Sequence, residues 1–163
     1  VREVEVFGLG VEEPGARPLL LLRELAGAGR VLPIWIGMPE AGAVEVARAH
    51  ETAPRPGTHR LIADVIGSFD RRLVRASVTG LVGGIFHAEL VFDGELRIPA
   101  RPSDAVVVSI LLDAPIEVAE AVFDRAGIAR SEVVGAGDGA SDEVIARFQR
   151  FLETASTEDF DPN

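Results

Sequence analysis

The sequence predicts an α+β fold with a mostly antiparallel or mixed sheet packed with helices, on three observations. Short apolar runs with alternating neighbours, separated by Gly-rich or Asp-Gly turns, mark strands with short connections. Longer segments carry apolar residues at helical spacing behind recognisable start signals. The strands come in runs of three rather than alternating singly with helices, which disfavours a doubly wound parallel sheet.

Residues 2–7 alternate Glu3 and Glu5 with Val4 and Val6, the pattern of a half-buried strand. Pro18 to Leu22 and Val31 to Ile36 are apolar runs separated by Gly27-Ala28-Gly29, hence two strands and a loop. Pro33 lacks an amide hydrogen and points to an edge strand or a bulge. A helix is expected from about Pro39 to His50, because proline suits the first helical position and Glu40 the positive end of the dipole. Thr52 to Gly57 reads as a loop. Thr58 is expected to cap a second helix. Its Leu61, Ile62, Val65, Ile66 and Phe69 form one apolar face for the core, with Arg60, Asp64 and Ser68 opposite.

Val74, Ala76 and Val78 alternate with Arg75, Ser77 and Thr79; after Gly83-Gly84 turns the chain, Phe86, Ala88, Leu90 and Phe92 share a face. Asp93-Gly94 is expected as a two-residue hairpin leading to a strand with Leu96 and Ile98. The apolar run Ala105 to Leu112 follows Ser103 and Asp104. A buried helix capped by Ser103 is therefore expected rather than a strand. Residues 117–126 read as a short strand or helix ending at Gly127. The domain is expected to occupy residues 1–129, a flexible Gly-rich linker 130–141, and an amphipathic helix with an acidic tail 142–163.

The 163 residues include no cysteine, lysine or tyrosine. Disulfides, thiolate nucleophiles, Cys-ligated zinc or iron–sulfur sites and Schiff-base lysines are thereby excluded. The net charge of −10 is uneven: residues 1–110 hold 12 Arg against 14 Asp and Glu, residues 111–163 only 4 against 12. Such a balance argues against a dedicated basic surface for nucleic acid, although nucleic acid remains open as a substrate. The one net-basic stretch, Arg48 to Arg75, has six Arg and three acids. No apolar run approaches the roughly 20 residues of a membrane helix, and residues 1–6 do not resemble a signal peptide. A cytoplasmic location without membrane contact is expected.

There is no phosphate-binding loop, Gly-x-Gly-x-x-Gly fingerprint, His-Glu-x-x-His or nucleophile elbow. Three other segments stand out. They are Leu32-Pro33-Ile34-Trp35-Ile36-Gly37 followed by Glu40-Ala41, then Arg55-Pro56-Gly57-Thr58-His59, then Ala100-Arg101-Pro102-Ser103-Asp104-Ala105. Thr58-His59 and Ser103-Asp104 each open an expected helix, and Arg55 and Arg101 each precede one. Helix starts present free N–H groups to anions, and Arg adds bidentate contacts. If these ends converge they form a phosphate pocket, lined by Arg55, Thr58, Arg101 and Ser103. His59 would then serve as acid or base and Glu40 or Asp104 as general base or magnesium ligand. The structural alternative is that Thr58 and Ser103 only cap helices and that Arg101 and Asp104 form an ion pair.

In order and spacing these three segments resemble the bifunctional nuclease (BFN) domain family, and the resemblance extends over nearly the whole chain, including the tail of its actinobacterial members. It implies an α+β domain, often a homodimer, that hydrolyses phosphodiester bonds of RNA and DNA, with Mg2+ or Mn2+ as the implied metal. The apolar edge around Pro33 and Trp35 is the expected dimer contact. Arg60 departs from the family pattern, standing where an acid commonly follows Thr-His and removing one potential metal ligand. The alternative function is a non-catalytic dimeric binding or regulatory module that uses the same pocket for a small anion or a protein partner.

Overall fold

A computed structural model of the chain describes residues 1–12, 17–50 and 54–133. Seven strands, β1 (Arg2–Glu12), β2 (Arg17–Glu24), β3 (Val31–Trp35), β4 (Leu73–Val82), β5 (Ile85–Phe92), β6 (Arg97–Ala100) and β7 (Ile116–Val118), form one sheet in the order β3-β2-β1-β7-β4-β5-β6. Pairing is antiparallel except between β4 and β7. Among the described residues four α-helices join the sheet in an α+β architecture: α1 (Met38–Arg48), α2 (Thr58–Ser68), α3 (Pro102–Leu111) and α4 (Glu120–Ala126).

Alternation explains the strands. In β4 and β5 the residues Ala76, Val78, Ala88 and Leu90 turn inward and are buried. Pro33 lies on the edge strand β3, as its missing donor demands. Helix α3 is apolar on all sides because it is enclosed: it packs between α1 and α2 and lies over β4 and β5. Its fully buried Ser109 is satisfied by donating to the carbonyl of Ala114 at 3.2 Å.

The span 117–126 resolves into both of the expected alternatives, strand β7 and then helix α4. Other expectations are corrected. Thr58 and Ser103 do not cap their helices: Gly57 and Arg101 occupy the cap positions, and neither helix has a side-chain cap hydrogen bond. Ser103 is buried in the first turn of α3, behind Pro102. The turn at Asp93 takes three residues, Asp93–Glu95, with Gly94 and Glu95 both at positive φ.

The largest difference concerns α2. Its expected core face is in water, with Leu61, Ile62, Val65 and Phe69 all exposed. Ala63 is the one buried residue of this helix, and α2 packs chiefly on α3. Its position beside α3 gives it mainly another helix to pack on rather than a sheet to cover. The expected linker and C-terminal helix lie almost wholly outside the described residues.

Candidate functional site

Helices α1, α2 and α3 begin at one cleft of about 590 Å³. Pro39 and Glu40 come from α1, Thr58 and His59 from α2, and Arg101 and Asp104 from the start of α3. The floor is apolar, made of Ile62, Ile66, Val108, Leu90 and Phe92, with Ile98, Pro99 and Ala100 of β6 on the far wall. The backbone ladders of α1, α2 and α3 start with Ala41, Leu61 and Ala105 donating to Gly37, Gly57 and Arg101. The N–H groups before those donors have no partner within their own helix, so three positive dipole ends face the cleft mouth.

Four side chains form a connected cluster at that mouth. His59 Nε2 lies 2.9 Å from Asp104 Oδ1. Arg101 donates from Nε to Asp104 Oδ2 at 2.6 Å, from Nη2 to Asp104 Oδ1 at 3.0 Å, and from Nη1 to Glu40 Oε1 at 2.8 Å. His59 is thus beside Arg101 although 42 residues separate them in sequence. Burial would raise the Asp104 carboxyl, but hydrogen bonds from Arg101 and His59 outweigh it and hold the group below its ordinary range. Hydrogen bonds that Arg101 donates to Asp104 and Glu40 hold its guanidinium firmly charged. An ionised Asp104 accepts only, so Nε2 of His59 carries the hydrogen toward it. In the neutral ring Nδ1 is then the nitrogen with the free lone pair, and it has no hydrogen-bond partner among the described residues.

The Arg101 side chain is 64% exposed and uses three of its five N–H donors, leaving two for a ligand. Two expected pocket residues are elsewhere. Arg55 is exposed in the loop before α2 and does not line the cleft, while the buried Ser103 is turned away from it. Sequence reading missed the apolar floor, because Ile62, Ile66 and Val108 carry only the signal of core residues. The basic stretch dissolves as well. Arg48, Arg60, Arg71 and Arg75 pair with Glu45, Asp64, Asp93 and Glu117, so four of its six Arg are neutralised locally.

The donor set does not suit a divalent cation. Among the described residues no three His, Asp or Glu side chains come together as metal ligands. The two carboxylates of the cluster are bridged by the Arg101 guanidinium, which occupies the place a cation would take between them.

Fold and site together define a class: a one-domain α+β protein with a His–Asp–Arg–Glu cluster at the shared start of three helices. Residues 20–131 match the family model of the bifunctional nuclease domain. Two uncharacterized Mycobacterium tuberculosis proteins, MT1877 of strain CDC 1551 / Oshkosh and Rv1829 of strain ATCC 25618 / H37Rv, are each 39% identical over 160 residues, covering 97% of this chain and 97% of their own length. The chain belongs to the bifunctional nuclease domain family. No helix among the described residues is long and apolar enough to cross a membrane.

Proposed function

We propose that this protein hydrolyses phosphodiester bonds in the cleft at the start of α1, α2 and α3. The observation that carries the reading is the His59–Asp104 pair at 2.9 Å, opening on the cleft beside an Arg101 with two unused donors. Asp104 fixes the ring so that Nδ1 of His59 takes the proton of an attacking water. The water oxygen bonds to phosphorus, the bond to the leaving oxygen breaks with that oxygen keeping the electron pair and taking a proton from solvent, and Arg101 offsets the charge growing on the phosphoryl oxygens. Asp104 is a positioning residue and Glu40 holds Arg101 in place; no step is assigned to Mg2+ or Mn2+. The acidic net charge and locally paired arginines imply weak, salt-sensitive binding of nucleic acid.

One observation favours the second reading, a non-catalytic binding or regulatory module. Arg101 is already matched by two carboxylates, a self-satisfied arrangement that needs no substrate. The assay is cleavage of labelled single-stranded RNA and DNA by purified protein in magnesium, manganese or chelator. Cleavage that survives chelator and falls 10²- to 10⁴-fold in His59→Ala, at unchanged melting temperature, supports the enzyme. Absence of cleavage in every buffer defeats it and leaves the module. Strict metal dependence refutes the metal-free scheme while keeping the nuclease.

A further inference from the structure

The cleft has two chemically different parts. Its charged side chains, Glu40, His59, Arg101 and Asp104, are joined in one hydrogen-bonded cluster at the mouth. Below them the lining is apolar: Ile62 and Ile66 of α2 on one side, Ile98 and Pro99 of β6 on the other. Helix α2 packs on α3 and is not packed against β6, so a slot is left between the two apolar walls. Ile62 is 39% exposed and Ile98 45% exposed, so both walls present hydrocarbon to water.

The two parts together specify a ligand. Arg101 keeps two N–H donors for an anion at the mouth. The apolar walls favour a flat ring, which takes both of them out of water at once and orders few rotatable bonds in doing so. The 590 Å³ of the cleft suits one small ligand, since such sites run from roughly 300 to 1,000 Å³. Given the cleft as the phosphodiester site, the reading on which this step rests, we propose that the slot takes one unstacked nucleobase of a single-stranded substrate. The base lies by its faces between Ile62 and Ile98, and its phosphate lies on Arg101.

Two consequences follow from the lining. In a duplex both faces of a base are covered by its neighbours, so the base must be turned out before it can enter. That cost slows cleavage of duplex relative to single strand by roughly 10²-fold. The polar side chains of the cleft stand at the mouth, bonded to one another, and none lines the slot where the edge of a base could be read. Preference among bases therefore follows ring area, purines before pyrimidines, and not a hydrogen-bond code. Burial of a base also supplies binding that the locally paired arginines of this acidic chain do not.

The test is an NMR titration of the full chain with deoxyadenosine 5′-monophosphate, which has no diester bond to hydrolyse. Two comparison ligands are 2-deoxyribose 5-phosphate, the same anion without its base, and hexyl phosphate, an anion with a flexible alkyl body. The nucleotide is expected to bind more tightly than the sugar phosphate by roughly 5- to 150-fold, the range for one stacked base. Ile98→Ser and Ile62→Ser, both at surface positions, are expected to remove most of that difference and to leave the sugar phosphate unchanged, with circular dichroism reporting an intact fold. Equal binding of nucleotide and sugar phosphate overturns the proposal. So does tighter binding of hexyl phosphate, or an undiminished difference in both folded variants. Nucleotide selectivity in a protein that cleaves no oligonucleotide sustains the slot while the hydrolytic reading fails. Duplex cleaved as fast as single strand overturns the slot while the hydrolytic reading stands.

Discussion

Replacing Arg30 with alanine should destabilise the protein more than any exposed arginine would, because Arg30 closes a clasp between distant segments. Its backbone N–H and Nε donate to Glu24 Oε2 at 3.0 and 3.1 Å, and Nη2 donates to Glu24 Oε1 and Glu120 Oε1, both at 2.7 Å. Its Nη1 reaches Asp124 at 3.3 Å, and the guanidinium lies over the buried Phe123 ring at 4.9 Å. The end of β2 and the start of β3 are thereby held to α4. The Glu24 side chain is 1% exposed, whereas Arg30 is 25% exposed. Truncation leaves a buried carboxylate with one backbone donor and Arg2 at 3.8 Å. Breaking a buried pair costs about 3–5 kcal/mol, and partial exposure of Arg30 places this case at the lower end, about 3 kcal/mol. For a chain of this size the expected fall in Tm is roughly 6–12 °C. Thermal unfolding followed by circular dichroism measures it. Arg30→Ala combined with Glu24→Gln should recover part of the loss, since a neutral amide is cheaper to leave without its cation. A fall below about 2 °C, or no recovery in the double variant, would refute the reasoning.

The same clasp sets an acid limit. Hydrogen bonds from Arg30 hold Glu24 below its ordinary value of 4.5 despite burial, and hydrogen bonds from Arg2 and Arg30 bring Glu120 down to about 2. The folded state therefore binds fewer protons than the unfolded state below about pH 4.5; the stabilisation is complete above that pH and is lost as pH falls toward 2. Melting curves between pH 6 and 2 should show this loss, and Arg30→Ala should flatten it; parallel curves for the two proteins would count against the assignment. Gly127→Ala should cost about 1–3 kcal/mol in urea unfolding, since an added Cβ would sit 2.6 Å from the Phe123 carbonyl oxygen and 2.9 Å from its ring. The backbone φ of −73° is open to alanine, so a neutral or stabilising result would show that α4 shifts freely.

What the sequence determined by itself was local. Alternation marks β4 and β5 because one face of a strand is buried and the next residue is not. Helix α3 follows from an apolar run behind Arg101-Pro102-Ser103-Asp104, though the cap falls two residues before Ser103, since Pro102 takes the first helical position. The three motif segments also supply residues that the fold brings together: Glu40, Thr58, His59, Arg101 and Asp104 all line one cleft. Other features needed the tertiary structure. Periodicity states that a helix has an apolar face but not what covers it. The stripe of α2 therefore reads as core in the sequence, yet lies in water. Ser103 and Asp104 are adjacent in sequence, but the helix turns one inward and the other to the cleft. The insertion of β7 between β1 and β4, parallel to β4, joins residues forty apart and leaves no mark in a three-residue strand. Long-range pairing depends on which surfaces meet when the chain collapses, whereas a sequence pattern records only the preference of each segment alone.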